Sequence, residues 1–529
     1  MTIVFFIVFI LALINVYAEY KRTLMMLQQN SYRNERYMKW LRVSGDSTSG
    51  VRLFAMIVML LSLIDAVPAS MGELFILIST AVSSQKLFKA KYKKPLVFTN
   101  RVWRIFSVMA ILSVAILALI VVFMWKSDVQ QMLFTLSLAS LVMYICSHII
   151  VLAANTILRP VEKSINKKYY NDAARILASM PDLKIIGITG SYGKTSTKHY
   201  LHRILSEKYD VMMTPGSYNT TLGVIRTVRE YLKPYNEVFI VEMGAKQKGD
   251  IKEICDLVHP SMGIVTAVGE QHLESFKSIE NVQSTKFELV DSLPSNGLAV
   301  VNNDFPYVAN RVVANVECCR YAVNATENAS YTAKDIQYDE YGTSFTIIGN
   351  DRELTLHTRL VGECNISNLI AAVIIALRLD VPEEKIRYAV EKIEQVEHRL
   401  NLKRTPGGVT IIDDAFNSNP TGSHMAMDVL ARFNKGQRIV ITPGMIELGD
   451  KQFEYNNMLG KKIAECADIA IIVGEYNREA LVEGAIAGGM AAEKVKAVDS
   501  FKTAQQLLGS IVKPGDTVLY ENDLPDTFK

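Results

Sequence analysis

Residues 184–205 read KIIGITGSYGKTSTKHYLHRIL. The run opens on an apolar, strand-like segment, turns through Gly190 and Gly193, and continues with helical spacing of its apolar residues. Strand, glycine turn and helix in that order are what a phosphate-binding loop needs. The two glycines let successive backbone N–H groups face an anion at the helix N-terminus, Lys194 can reach the outer phosphates, and the Thr195 hydroxyl can hold Mg²⁺. The nucleotide contacts expected here are Thr189, Gly190, Ser191, Tyr192, Gly193, Lys194, Thr195 and Ser196, with ATP and Mg²⁺ as cofactors. Gly187 stands one residue too far upstream for the GxxxxGK[ST] spacing, so the loop is the shorter TGxxGKT form.

Outward from this loop, strand-like runs alternate with helical stretches: KIIGIT, EVFIVEM, GIVTAV, GLAVVN, then VTIIDD, RIVITP, IAIIVG and TVLY. That alternation predicts an α/β architecture with parallel sheets. The expected layout is a membrane module over 1–158, a linker helix over 159–182, an ATP-binding domain over 183–396 and a Rossmann-like C-terminal domain over 397–529.

The first 158 residues have a different character. Residues 3–18 and 105–125 are uncharged, and 131–154 carry only His148 as an ionisable group. Each run is long enough to cross ~30 Å of hydrocarbon as a helix, or nearly so. Two weaker apolar stretches, 51–67 and 70–85, are joined by VPAS with Asp65 and Glu73 near the joint, and read as a helical hairpin. Six Lys or Arg residues fall within 21–42 and seven within 86–104, whereas the other connectors hold only Lys126. Basic loops stay cytoplasmic, so the pattern predicts about five membrane helices, the N-terminus outside and everything after the last span in the cytoplasm. The segment RPVEKSINKKYYNDAARILASM (159–180) then reads as a basic juxtamembrane helix.

Composition agrees with a chain partly in lipid: 49% of residues are hydrophobic and the mean hydropathy is positive, +0.15. A net charge of +3 over 529 residues argues against a nucleic-acid partner. Six cysteines without a CxxC pair suggest neither a zinc site nor a disulfide framework.

Further segments give a family resemblance over residues 183–520. The TGxxGKT loop is shared by Mur ligases and folylpolyglutamate synthases, and TPGSYNTTLGV (214–224), VEMGAKQKGDI (241–251), VGEQHLESFKSIENVQSTKFELV (268–290), LVGECNISNLIAA (360–372), HRLNLKRTPGGVTIIDDAFNSNP (398–420) and GMIELGD (444–450) resemble Mur ligase motifs. The match favours the branch that adds D-alanyl-D-alanine to a cell-wall precursor. The resemblance implies Thr195, Glu242 and His272 as metal ligands and Lys286 as a carbamylated lysine. It implies Asn365 and Asn368 near the adenosine, Arg399 at the ATP phosphates and Asp414 in the nucleotide cleft. Asn219, Thr220, Asn417 and Asn419 are implied as substrate contacts. Catalytic roles fall to Lys194, Lys286, His272 and Arg399.

The sequence departs from the family at several points. Ser217 and Thr220 stand where Asn is usual, Cys364 stands where His is usual, and LYENDLPDTF (519–528) lacks a KGSR-like end. The 22 residues between membrane and catalytic segments are too few for the soluble UDP-gripping domain of the family. The resemblance implies a membrane-anchored, ADP-forming ligase that joins the amine of an amino acid or peptide to the free carboxylate of a cell-envelope precursor, through an acyl phosphate. The alternatives are an amide ligase for a lipid-linked glycan or a polyglutamate-like chain, and a membrane scaffold that binds nucleotide without turnover.

Overall fold

The structure is a computed structural model that describes residues 2–64, 66–90, 92, 94–338, 342–416 and 418–524. Asp65, Lys91, Lys93 and Asn417, which the sequence singles out, lie outside the described residues. Two compact units emerge, the first ending at Lys167 and the second running Lys168–Asp523.

The first unit is helical: α1 (Thr2–Gln29), α2 (Asn34–Ser44), α3 (Gly50–Ser62), α4 (Ala69–Lys89), α5 (Asn100–Phe123), α6 (Val129–Ile145) and α7 (Ser147–Ala178). Among the described residues α1 and α5 are long and apolar enough to cross a membrane, and the pair α6 and α7 makes a third candidate. At 13 residues α3 is shorter than the roughly 20 a straight span needs. The apolar run 131–154 is not one straight helix, because α6 and α7 meet at a 72° bend. Arg52, fully buried, donates from one guanidinium nitrogen to the carbonyls of Tyr144 and Ile145, 2.9 Å each. Those carbonyls end α6, so the guanidinium supplies the partners the helix terminus lacks. The charge is met by Glu19 of α1, which also accepts from Ser147 at 3.3 Å. Helix α7 continues through Pro160 to Ala178, so the juxtamembrane segment and the end of the last apolar run form one helix.

The second unit holds two sheets. The larger comprises β1 (Lys184–Thr189), β2 (Val211–Met213), β3 (Val238–Glu242), β4 (Met262–Val265), β5 (Leu298–Asn302), β6 (Glu317–Ala322), β7 (Tyr331–Tyr338), β8 (Thr343–Gly349) and β9 (Arg352–Thr358). Their order is β2-β3-β1-β4-β5-β6-β7-β8-β9, parallel as far as β7 and antiparallel beyond it. Successive residues alternate between two cores: Ile186, Ile188, Val238 and Ile240 on one face, Ile185, Phe239 and Val241 on the other. A parallel sheet so buried on both sides must be covered by helices on both faces. Helix α8 (Lys194–Leu205) and the helix Glu363–Arg378 cover the first face. The helices Asp250–Val258 and Ile279–Asp291 cover the second.

The smaller sheet comprises β10 (Asn401–Arg404), β11 (Thr410–Asp414), β12 (Arg438–Thr442), β13 (Ile469–Val473), β14 (Val495–Val498) and β15 (Thr517–Glu521), in the order β10-β11-β15-β12-β13-β14. Only β10 is antiparallel. The parallel expectation therefore holds for the centre of each sheet, while both sheets are mixed at an edge.

Candidate active site

In the larger sheet β1 lies between β3 and β4, so the chain leaves it for one side and later returns on the other. Ligands of open α/β sheets sit where connections diverge, beyond the carboxyl ends of the strands. The 190–193 turn occupies that place. Gly190 has φ +151°, and a Cβ there would fall 2.1 Å from Thr266 Oγ1. Gly193 has φ +81° at the head of α8, where a Cβ would meet Asn368 Oδ1 at 2.5 Å. Both positions require glycine. Ser191 is anchored by its N–H to the Ala267 carbonyl (2.8 Å) and by its hydroxyl to the Gly269 carbonyl (3.0 Å), and the Tyr192 ring meets Phe305 edge-on at 5.1 Å. Thr189 donates to the Met243 carbonyl at 2.9 Å, and Ser196 is buried in the first turn of the loop helix.

Lys194 curls back over this turn, its Nζ 2.6 Å from the Gly190 carbonyl and 3.2 Å from that of Ser191. Burial pushes its ammonium down to about 8, with Glu242 opposing the shift and Arg399 adding to it. The strand register pairs Ile188 with Glu242, which brings that carboxylate to the loop. Glu242 Oε1 accepts from Thr195 Oγ1 at 3.2 Å and from Asn219 Nδ2 at 3.1 Å. Its Oε2 stands 3.0 Å from Lys198 Nζ but, among the described residues, accepts no well-aligned hydrogen bond. Burial alone would raise this carboxyl, and the ammonium groups of Lys198 and Lys194 outweigh it, so Glu242 stays ionised.

A buried carboxylate oxygen with an open lone pair, beside the threonine hydroxyl of a phosphate loop, fits a divalent cation. Among the described residues no three His, Cys, Asp or Glu side chains cluster as a metal cage. That also fits Mg²⁺, which takes one or two protein carboxylates and completes its shell with phosphate oxygens and water. Thr195 and Glu242 fit one such site. His272, at φ +53°, instead contacts Glu447, from the segment that follows β12 of the smaller sheet, through Nδ1. Burial depresses its imidazole and Glu447 opposes the shift.

Lys286 projects from the helix Ile279–Asp291 into the interior, 2% exposed. Burial first, and then the Lys194 charge, holds its ammonium well below the ordinary lysine range, with Asp250 and Glu288 opposing. Arg399 stacks on Phe416 at 4.2 Å, and its charge is felt by Glu242, Asp414 and Lys194. Asp414 ends β11, accepts the Leu400 N–H at 3.1 Å, and is pushed up to about 6 by burial.

Other expected contacts have partners of their own. Asn365 accepts from Tyr200 at 2.7 Å and donates to the Val361 carbonyl at 2.8 Å, tying its helix to α8. Asn368 accepts from Thr197 at 3.1 Å and lies against the phosphate loop. The Thr220 side chain caps α9 (Thr221–Glu230) and Asn419 caps the helix Pro420–Ala431. Two further residues, Lys198 and Glu447, reach the site although the motifs that contain them assign them no role. Lys198 lies one turn after Lys194, a spacing that puts both on one helix face. Glu447 sits within GMIELGD and joins His272 and, at 3.5 Å, Lys246.

The Mur ligase middle domain model matches residues 188–376, and the model for the Mur ligase glutamate ligase domain matches residues 398–520. The UDP-N-acetylmuramoyl-tripeptide--D-alanyl-D-alanine ligase of Mycobacterium tuberculosis is 30% identical over 373 residues, covering 66% of this chain and 71% of that protein. The enzyme of the same name from Bacillus subtilis is 29% identical over 283 residues, and the match spans 60% of its length. Among solved structures, MurF from Acinetobacter baumannii superposes with a TM-score of 0.61 at 26% identity, over 67% of this chain and 77% of that one. MurF of Thermotoga maritima in complex with ADP gives 0.61 at 25% identity, over 68% and 80%. Fold, phosphate loop and both domain matches lead to one assignment: the chain belongs to the Mur ligase family.

Proposed function

We propose that the protein is a membrane-anchored, ATP-dependent amide ligase of the MurF type, which adds an amino acid or peptide to a cell-envelope precursor. The observation that carries this reading is the meeting of Thr195 and Glu242 at the mouth of a glycine-built phosphate loop. In the reaction the γ-phosphate passes to a substrate carboxylate, giving an acyl phosphate, and the substrate amine displaces phosphate to form the amide. No protein nucleophile is needed. Lys194 is poised to leave the Gly190 and Ser191 carbonyls for phosphate oxygens, and Arg399, from the turn just before β10, adds a second positive charge. Thr195 and Glu242 would hold Mg²⁺, which when bound would supply further charge neutralisation at the phosphates, whereas His272 is engaged by Glu447. Lys286, whose proton affinity is lowered by burial and by the Lys194 charge, can add CO₂ as the free amine and lose a proton to become a carbamate, an anion where the ammonium would be a cation.

The helical unit over residues 2–167 supports a multi-pass location with the ligase domains in the cytoplasm, where ATP is. It also supports the second reading, in which the carboxylate is carried by a lipid-linked envelope precursor. Phosphate release by the purified chain decides between them. UDP-N-acetylmuramoyl-tripeptide with D-alanyl-D-alanine is tested against a lipid-linked muropeptide with the same dipeptide. Release with neither, under saturating ATP and Mg²⁺, would leave the lipid-linked glycan, polyglutamate-like and scaffold alternatives.

A further inference from the structure

The carboxyl end of the smaller sheet closes on a buried junction that no catalytic role explains. Glu521 is the last residue of β15 and 1% exposed. Strand pairing sets it beside Asp414 of β11, and β12 flanks β15 on the other side. One carboxylate oxygen accepts the Ser418 hydroxyl, and the other accepts Thr442 Oγ1 at 2.9 Å. Thr442 Oγ1 in turn accepts the Gly444 N–H at 2.9 Å. The next residue, Asn522, donates its own N–H to the Asp414 carbonyl at 3.2 Å and its side-chain amide to the Gly444 carbonyl at 2.6 Å. It does so from φ +66°.

Two segments leave this junction. Residues 415–419 carry Phe416, on which Arg399 stacks, and residues 444–450 carry Glu447, which contacts His272. Both are tied to Glu521 by a single hydroxyl each. A carboxylate is costly to bury unless its lone pairs are filled, so the acid persists here as an acceptor for two loops at once.

We propose that Glu521, seconded by Asn522, is the positioning residue that sets the 415–419 and 444–450 segments relative to each other, and so places Arg399 and Glu447 against the ATP domain. The proposal rests on the ligase reading for its effect on turnover, but its effect on the two loops does not depend on that reading.

The test uses the full-length chain in detergent micelles and two readouts, amide hydrogen exchange and phosphate release with UDP-N-acetylmuramoyl-tripeptide and D-alanyl-D-alanine. Glu521→Ala should speed exchange in both segments and lower kcat about tenfold, a loss in keeping with misplaced groups and unpaired hydroxyls, while ADP affinity changes less than about threefold. Glu521→Gln should recover most of both effects, because an amide can accept from Thr442 and donate to Ser418. Ser418→Ala should loosen only 415–419, and Thr442→Val only 444–450. Unchanged exchange in Glu521→Ala, a Gln variant no better than Ala, or single variants that loosen both segments alike would each overturn the proposal. Should Glu521→Ala fail to fold, the two single-loop variants decide it. If the wild type releases no phosphate from this substrate pair, the substrate reading fails, and the exchange pattern alone decides whether Glu521 positions the two segments.

Discussion

Lys198 Nζ and Glu242 Oε2 stand 3.0 Å apart with both side chains sealed from solvent. Lys198 also donates to the Gly216 carbonyl at 2.6 Å, so one ammonium holds both the candidate metal carboxylate and the 214–219 loop. Removing one partner of a buried pair leaves an uncompensated charge, at a cost of about 3–5 kcal/mol. Lys198→Ala should therefore lower the thermal midpoint of the ligase unit sharply. Lys198→Met with Glu242→Gln should recover most of that stability without recovering turnover, because the cation ligand is gone. A Lys198→Ala protein that melts with the wild type would show that Lys194 alone balances Glu242.

Lys194→Ala should abolish phosphate release, by at least about 100-fold for loss of a preorganised charge at the phosphates, and leave the protein in the membrane fraction. Phosphate loop and helical unit lie in separate compact units, so insertion does not depend on the lysine. Wild-type phosphate release by this variant in the presence of acyl substrate would remove the loop from the mechanism.

Much of this site is legible in the sequence because it rests on local rules. KIIGIT followed by two glycines and GKT specifies strand, turn and helix within one short stretch, and Glu242 ends a strand whose register the apolar run fixes. What is not legible depends on distant partners. The break at Cys146 lies inside continuous apolar sequence and is set by Arg52, more than ninety residues earlier in the chain. Strands β7 to β9 mix charged and polar residues, and β7 carries an irregularity between Lys334 and Gln337, so their alternation is masked. Glu521 is visible in the sequence only as part of a departure from KGSR, since its partners Ser418 and Thr442 are 103 and 79 residues away.

Topology has its own test. A reporter fused after Lys163 should be cytoplasmic and one at Met71 external, as basic loops at 21–42 and 86–104 require. Both reporters on one side would mean that α3 and α4 do not form a membrane hairpin, in keeping with the short α3.

The C-terminal sheet should show an unusual pH response. Burial raises Glu521 from 4.5 to about 7 and Asp414 from 3.8 to about 6. Between the unfolded and folded values the native state holds more protons than the unfolded chain, so these two groups lower stability as pH rises from about 4 to 7. Carboxylates held low, such as Asp413 and Asp468, act in the opposite direction below pH 4. The clean measure is the difference between wild type and Glu521→Gln. The variant should gain stability relative to wild type as pH rises from about 5 to 8, and a constant difference in thermal midpoint over that range would refute the assignment.

Lys286 offers the most direct chemical prediction. The Lys194 charge disfavours an ammonium at Lys286, by ~332/(ε·r) kcal/mol per unit-charge pair. The same surroundings lower its proton affinity and so favour the neutral amine, which is the form that reacts with CO₂. Carbamylation would turn that repulsion into attraction. Depleting bicarbonate should therefore lower turnover reversibly, and lowering the pH should do the same once the amine is protonated. Lys286→Ala should lose most ligase activity, and added acetate should restore part of it by occupying the vacated space. Near-normal turnover in Lys286→Ala, or wild-type activity indifferent to bicarbonate together with no rescue by acetate, would return Lys286 to the role of a buried structural amine.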